Sequence, residues 1–143
     1  MTLKEIKEQV MFQTNNDADD VEDFLPSLTD YINEAYDRLV VVWAKAHVPS
    51  TDWPALREYA AQEAPTDPPV DVPQTPEWTH RYLADWATWL IYRNGNPQKQ
   101  QRGYAYRESF EKMLAMVADE GGLAGMDENG NPKQYKNFFN IPR

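Results

Sequence analysis

Phe24 to His47, FLPSLTDYINEAYDRLVVVWAKAH, decides how the chain folds. Leu28, Ile32, Ala35, Leu39, Val42 and Ala46 recur in steps of four and three, and Tyr31, Tyr36, Val40 and Trp43 widen that stripe on both sides. A stripe this broad predicts a core helix covered by several neighbours, the most buried of the bundle. Pro26 suits a first helical turn, where its missing N–H leaves nothing unpaired, and it disfavours helical geometry at Leu25. Val48-Pro49 predicts the stop, with Lys45 and His47 placed where cations favour a helix C-terminus.

Upstream, Thr2-Leu3-Lys4-Glu5 reads as a capping box. Leu3, Ile6 and Val10 then predict a short helix to about Phe12. Asn15 to Asp23 packs five acids into seven residues, a density that favours a solvated loop. It lacks the glycine and the ligand spacing of a calcium loop.

Downstream, 48–75 is a proline-rich connection. Leu56, Tyr59 and Ala60 suggest a short helix between Pro54 and Pro65. Pro65, Pro68, Pro69, Pro73 and Pro76 suggest extended, polyproline-like backbone after it. Thr75-Pro76-Glu77 reads as N-cap, first helical residue and first-turn acid. Leu83, Trp86, Ala87 and Leu90, flanked by Trp78, Tyr82 and Trp89, form the stripe of a third helix. Arg93-Asn94-Gly95-Asn96-Pro97 closes it and opens a fourth, with Gly95 suited to a left-handed C-cap, Asn96 to an N-cap and Pro97 to the first position. So short a turn makes the pair antiparallel. The fourth helix runs to about Glu120, with Gly103, Tyr106, Phe110, Met113, Leu114 and Val117 inward. Gly103 implies a close helix–helix approach, and Gly121-Gly122 the stop. The expected fold is all-α: a bundle of about four helices over residues 1–122, including the proline-rich loop 48–75, followed by an extended aromatic tail, 123–143. In that tail Tyr135, Phe138, Phe139 and Ile141 crowd four large apolar groups into seven residues.

The composition excludes several function classes. With 143 residues and no cysteine, the chain offers one domain with a core and no disulfide, thiolate nucleophile or zinc–cysteine site. No apolar run reaches membrane-spanning length, and the reading is a soluble protein kept inside a cell or particle, with no membrane partner. The net charge of −9 is uneven: 1–24 carry seven acids against two lysines, 48–76 five acids against Arg57, and 94–143 seven cations against six acids. That distribution shows no basic footprint for gripping nucleic acid. The two histidines, His47 and His80, form no zinc pattern, and no nucleophile elbow, P-loop or dinucleotide turn occurs. The expectation is no catalytic residue, no metal and no cofactor; Trp43, Trp86 and Trp89 read as core, and His80 as a surface or packing residue.

Two stretches together resemble one family. The capped helix and acidic loop lead through Phe24-Leu25-Pro26 into Leu28-Thr29-Asp30-Tyr31-Ile32-Asn33-Glu34-Ala35-Tyr36-Asp37-Arg38-Leu39. This resembles the N-terminal half of head–tail connector (portal adaptor) proteins of tailed bacteriophages. Pro76-Glu77-Trp78-Thr79-His80-Arg81-Tyr82-Leu83-Ala84-Asp85-Trp86-Ala87 is similar to the opening of the third helix in those adaptors. The resemblance covers about residues 1–120 as an order of elements. It implies a non-catalytic virion protein, made in the bacterial host cytoplasm and placed at the head–tail interface. Its copies would form a ring, commonly twelve-fold, on the portal protein, bind a tail or stopper protein, and let DNA pass without specific binding. Within that picture Asp17, Asp19, Asp20, Glu22 and Asp23 would face the channel, where repulsion keeps phosphates from sticking, or would simply be solvated. Tyr135, Phe138, Phe139 and Ile141 would dock on the portal or a neighbouring subunit, with a tail folded along its own bundle as the alternative. The rival classes are an acidic DNA mimic and another small helical protein-binding module.

Overall fold

The computed structural model describes residues 1–14, 23–46 and 53–122. Within them the chain is all-helical: α1 (Leu3–Gln13), a 3-10 turn (Leu25–Ser27), α2 (Leu28–Ala46), α3 (Glu77–Arg93) and α4 (Pro97–Gly122). No strand occurs among the described residues. The tail beginning at 123 lies outside them.

The capping box at α1 is complete: the Glu5 amide donates to Thr2 Oγ1 at 3.2 Å, and the Thr2 amide donates to Glu5 Oε1 at 2.9 Å. Leu3, Ile6 and Val10 are fully buried below it. The α-helical part of α2 begins at Leu28, two residues after Pro26, where the sequence suggests a start. Pro26 occupies a 3-10 turn closed by the Leu28 amide on the Leu25 carbonyl. Its buried stripe is Leu28, Ile32, Ala35, Tyr36, Leu39 and Trp43; Val42, expected there, is only half-buried.

The most buried helix is α3, not α2. Twelve of its 17 residues, including Thr79, His80, Asp85 and Thr88, are buried. It packs against α1, α2 and α4, so no face is left for solvent over most of its length. The apolar stripe of α2 was broad, but its outer side, Asp30, Asp37, Arg38 and Val41, stays exposed. Trp43, Trp86 and Trp89 all belong to the core.

The hairpin turn is made by the expected residues, but its C-cap is Asn94 and not Gly95. Asn94, in right-handed helical geometry, closes α3, and its Nδ2 donates to the Leu90 carbonyl at 2.8 Å. Gly95 is not in the left-handed conformation. Asn96 does cap α4, its Oδ1 accepting from the Lys99 amide at 3.0 Å. α4 then runs antiparallel to α3: Gly103 lies against Trp89 and Tyr92, Ser109 reaches Asp85, and Phe110 packs on Trp86 at a ring separation of 5.0 Å.

Three expectations for the connection are corrected. Residues 54–65 form no helix, because Leu56 is claimed by α2: Asn33 Oδ1 accepts from the Leu56 amide at 2.7 Å and Asn33 Nδ2 donates to its carbonyl at 2.9 Å. The stretch after Pro65 is not polyproline-like; it bends at 67–68, 70–72 and 74–75, and the Arg57 amide donates to Val70 O. At the start of α3, Pro76 holds the cap position without a side-chain bond, while Thr75 is buried and its hydroxyl accepts from Thr79 Oγ1 at 2.8 Å.

Leu39, with no exposed surface, should lose about 2–5 kcal/mol of stability on truncation to alanine. Chemical denaturation reads this, and a loss under about 1 kcal/mol would mean the stripe faces elsewhere. Gly103→Ala gains about 1 kcal/mol of helix propensity. Its Cβ, however, would sit 2.7 Å from Trp89 Cε3 and 2.9 Å from Tyr92 Cβ. Overpacking should dominate, with a net loss of about 1–2 kcal/mol; a stabilised variant would contradict the close contact.

Candidate functional site

Of the residues the sequence singled out, Asp23 is exposed just before the 3-10 turn. Asp17, Asp19, Asp20, Glu22, Tyr135, Phe138, Phe139 and Ile141 lie outside the residues that the structure describes. It shows instead a buried polar cluster and two oppositely charged ends.

The cluster centres on Asp85, in the middle of α3 and 8% exposed. Asp85 Oδ1 accepts from Gln13 Nε2 at 2.8 Å and Oδ2 from Ser109 Oγ at 2.9 Å; Gln13 Oε1 in turn accepts from Thr88 Oγ1 at 2.6 Å. One carboxylate thus ties α1, α3 and α4 together. Burial pushes its pKa up, against the pull of Ser109, Gln13 and the Arg81 charge. Beside it lies a cleft of about 390 Å³ lined by Met1, Gln9, Gln13, Arg81 and Asp85. No group of three acids or histidines able to hold a metal occurs among the described residues.

His80 belongs to the packing, not the surface, and is 3% exposed. Its Nε2 lies 2.7 Å from the Thr75 carbonyl, which can only accept, so the proton sits on Nε2. Nδ1 is left to accept from the Met1 amine at 2.9 Å. Burial pushes the imidazole pKa down, opposed mainly by the bond to Thr75.

One end of α3 carries the loop, built around side-chain clamps. The Tyr59 hydroxyl accepts from the amides of Thr66 at 3.0 Å and Val70 at 3.2 Å. Arg57 grips Glu63 through two bonds, 2.9 and 2.7 Å, and holds its carboxyl down to about 2. The Tyr36 hydroxyl accepts from the Gln74 amide at 2.8 Å, Leu3 N donates to Asp71 O, and Lys7 pairs with Glu58. The other end is the α3–α4 turn, whose flanks from 93 to 107 hold Arg93, Lys99, Arg102 and Arg107 and no acid.

Sequence reasoning missed Asp85, Asn33 and Glu34, whose Oε2 accepts from Trp86 Nε1 at 2.8 Å beneath the Arg38 guanidinium. The signal for Asp85 was an acid inside an aromatic run. For Asn33 and Glu34, on the flank of an amphipathic helix, pattern alone offered none.

Comparison with known proteins gives no match to a family model, to a curated protein or to a solved structure.

His80 gives a pH prediction. The unfolded imidazole takes up its proton near the ordinary value of about 6.5, the folded one only at lower pH. Between those values the unfolded state binds more protons, so stability present above about pH 6.5 is lost as the pH falls. His80→Gln keeps a donor for Thr75 and cannot titrate. Melting temperature against pH should therefore slope less in the variant between about pH 7 and 5; equal slopes would contradict the buried neutral imidazole.

Proposed function

We propose that the chain is a head–tail connector of a tailed bacteriophage: a structural virion protein whose copies form a ring on the portal, extend the DNA channel and receive the tail or stopper protein. The observation that carries this reading is where the residues of the two resembling stretches fall. Asn33 clamps the loop through Leu56, Tyr36 holds Gln74, Glu34 accepts from Trp86, and His80 seats on Thr75. The two stretches thus join to each other and to the loop between them, as parts of one shared scaffold would. The all-helical order and the long anchored loop agree with the resemblance. No helix among the described residues is long and apolar enough to cross a membrane.

The reading also needs surface for partners. Phe12, 77% exposed on α1, and Val41, 54% exposed on α2, are large apolar groups open to a partner. On this proposal the aromatic tail, with Tyr135, Phe138, Phe139 and Ile141, docks on the portal or on the next subunit, and the acids from Asp17 to Asp23 line the channel.

Purified chain mixed with the portal of the same phage should co-sediment with it and appear as an added ring in electron micrographs; a portal that remains bare would overturn the connector reading. Truncation after Gly125 should leave the melting temperature of the free subunit nearly unchanged and weaken ring formation. A subunit that melts many degrees lower would assign the tail to its own core.

A further inference from the structure

The two ends of α3 carry opposite charge on rigid supports. From Trp53 to Glu77 the loop and first helical residue hold Glu58, Glu63, Asp67, Asp71 and Glu77 against Arg57. Glu58 and Glu63 are taken up by Lys7 and Arg57. Asp67 and Glu77 are exposed and Asp71 half-exposed, and apart from the Met1 amine, 4.0 Å from Glu77, none of the three has a cationic partner among the described residues. The opposite end carries the four cations from Arg93 to Arg107, with Arg93 and Arg102 exposed. The 17 residues of α3 separate these ends by about 25 Å, well beyond a Debye length of about 8–10 Å. The loop end thus presents a surplus of acids and the stretch 93–102 presents cations with no acid, while Arg107, further along α4, is paired with Glu111.

We infer that these ends are complementary faces of a head-to-tail contact, in which the acidic loop of one copy seats on the basic α3–α4 turn of the next. The inference deepens the connector reading by naming the surfaces that close the ring, and it rests on that reading. An association between two unlike patches does not terminate in a dimer; it propagates, and closes as a ring when the rotation per copy allows. The loop is ready for such a role. Its shape is held by the Tyr59 hydroxyl, the Arg57–Glu63 fork and the Asn33 clamp, so little ordering remains to oppose binding. Apolar surface accompanies the charge: Pro65 and Pro68 are exposed on the loop, and Tyr104, 46% exposed, lies about two turns into α4. Tyr104 borders a notch of about 240 Å³ shared with Arg107, Glu108 and Glu111. A second copy explains the basic turn better than a nucleic acid does. The complementary acidic patch belongs to this chain, and the overall charge of −9 opposes the approach of a polyphosphate.

The test uses two charge reversals in the full chain: Arg93→Glu with Arg102→Glu at the turn, and Asp67→Lys with Asp71→Lys on the loop. Sedimentation velocity at low salt should show concentration-dependent self-association of the wild type, weakened about tenfold in either variant and abolished near 1 M salt, where screening is nearly complete. Circular dichroism melts establish that both variants fold. A mixture of the two variants should recover association, because each reversed end then meets an opposite charge. A wild type that stays monomeric, or a mixture that gains nothing, overturns the inference. So does a turn reversal that abolishes binding of a labelled DNA duplex and leaves self-association intact, which would make the turn a nucleic-acid contact. The connector reading is judged separately by portal binding: a wild type that binds the portal while the reversals change nothing leaves that reading standing and removes this one.

Discussion

The structure depends on one constraint: α3 must be covered on every side. A helix with Trp78, Tyr82, Leu83, Trp86, Trp89, Leu90, Ile91 and Tyr92 distributed around its axis has no face to offer water. α4 returns along it through a three-residue turn and comes close enough, at Gly103, that a methyl group would collide with Trp89. α2 covers a second side, with Glu34 accepting from the Trp86 indole and Arg38 lying over its ring, and α1 the third. The polar groups trapped by this enclosure are the ones that find partners. Asp85, Thr88, Gln13 and Ser109 satisfy one another, as buried polar groups must.

Much of this was legible in the chain because it is written in local chemistry. The Thr2–Glu5 capping box, the Asn96-Pro97 helix start and the inward positions of α4 follow from spacing and from orphan backbone groups. The failures have physical causes as well. Helix periodicity measures amphipathicity, so it favoured α2, with its clean stripe, over α3, whose burial on all sides blurs any stripe. The connection misled because its structure comes from long-range side-chain clamps. Asn33 takes both polar groups of Leu56, and the Tyr59 hydroxyl gathers amides seven and eleven residues away. Neither partnership leaves a trace in composition, where prolines alone suggested extended chain.

The same clamps link fold to function. A 24-residue connection from 53 to 76 without regular structure is held to the bundle from at least four points, on Leu3, Lys7, Asn33 and Tyr36. It forms a firm acidic edge at one end of α3, with the cationic turn at the other. A protein proposed to stand in a ring uses such polarity well, since each copy must present two unlike faces to its neighbours.

Native-state hydrogen exchange tests the keystone role of α3 most directly. Amides that open only on global unfolding belong to the element that all others need. The account predicts that Leu83 to Ile91 exchange most slowly in the chain, at the rate set by global stability, with α1 and the loop opening earlier. If α2 amides outlast those of α3, or α3 opens in a partial unfolding that leaves α2 and α4 protected, the bundle is not organised around it.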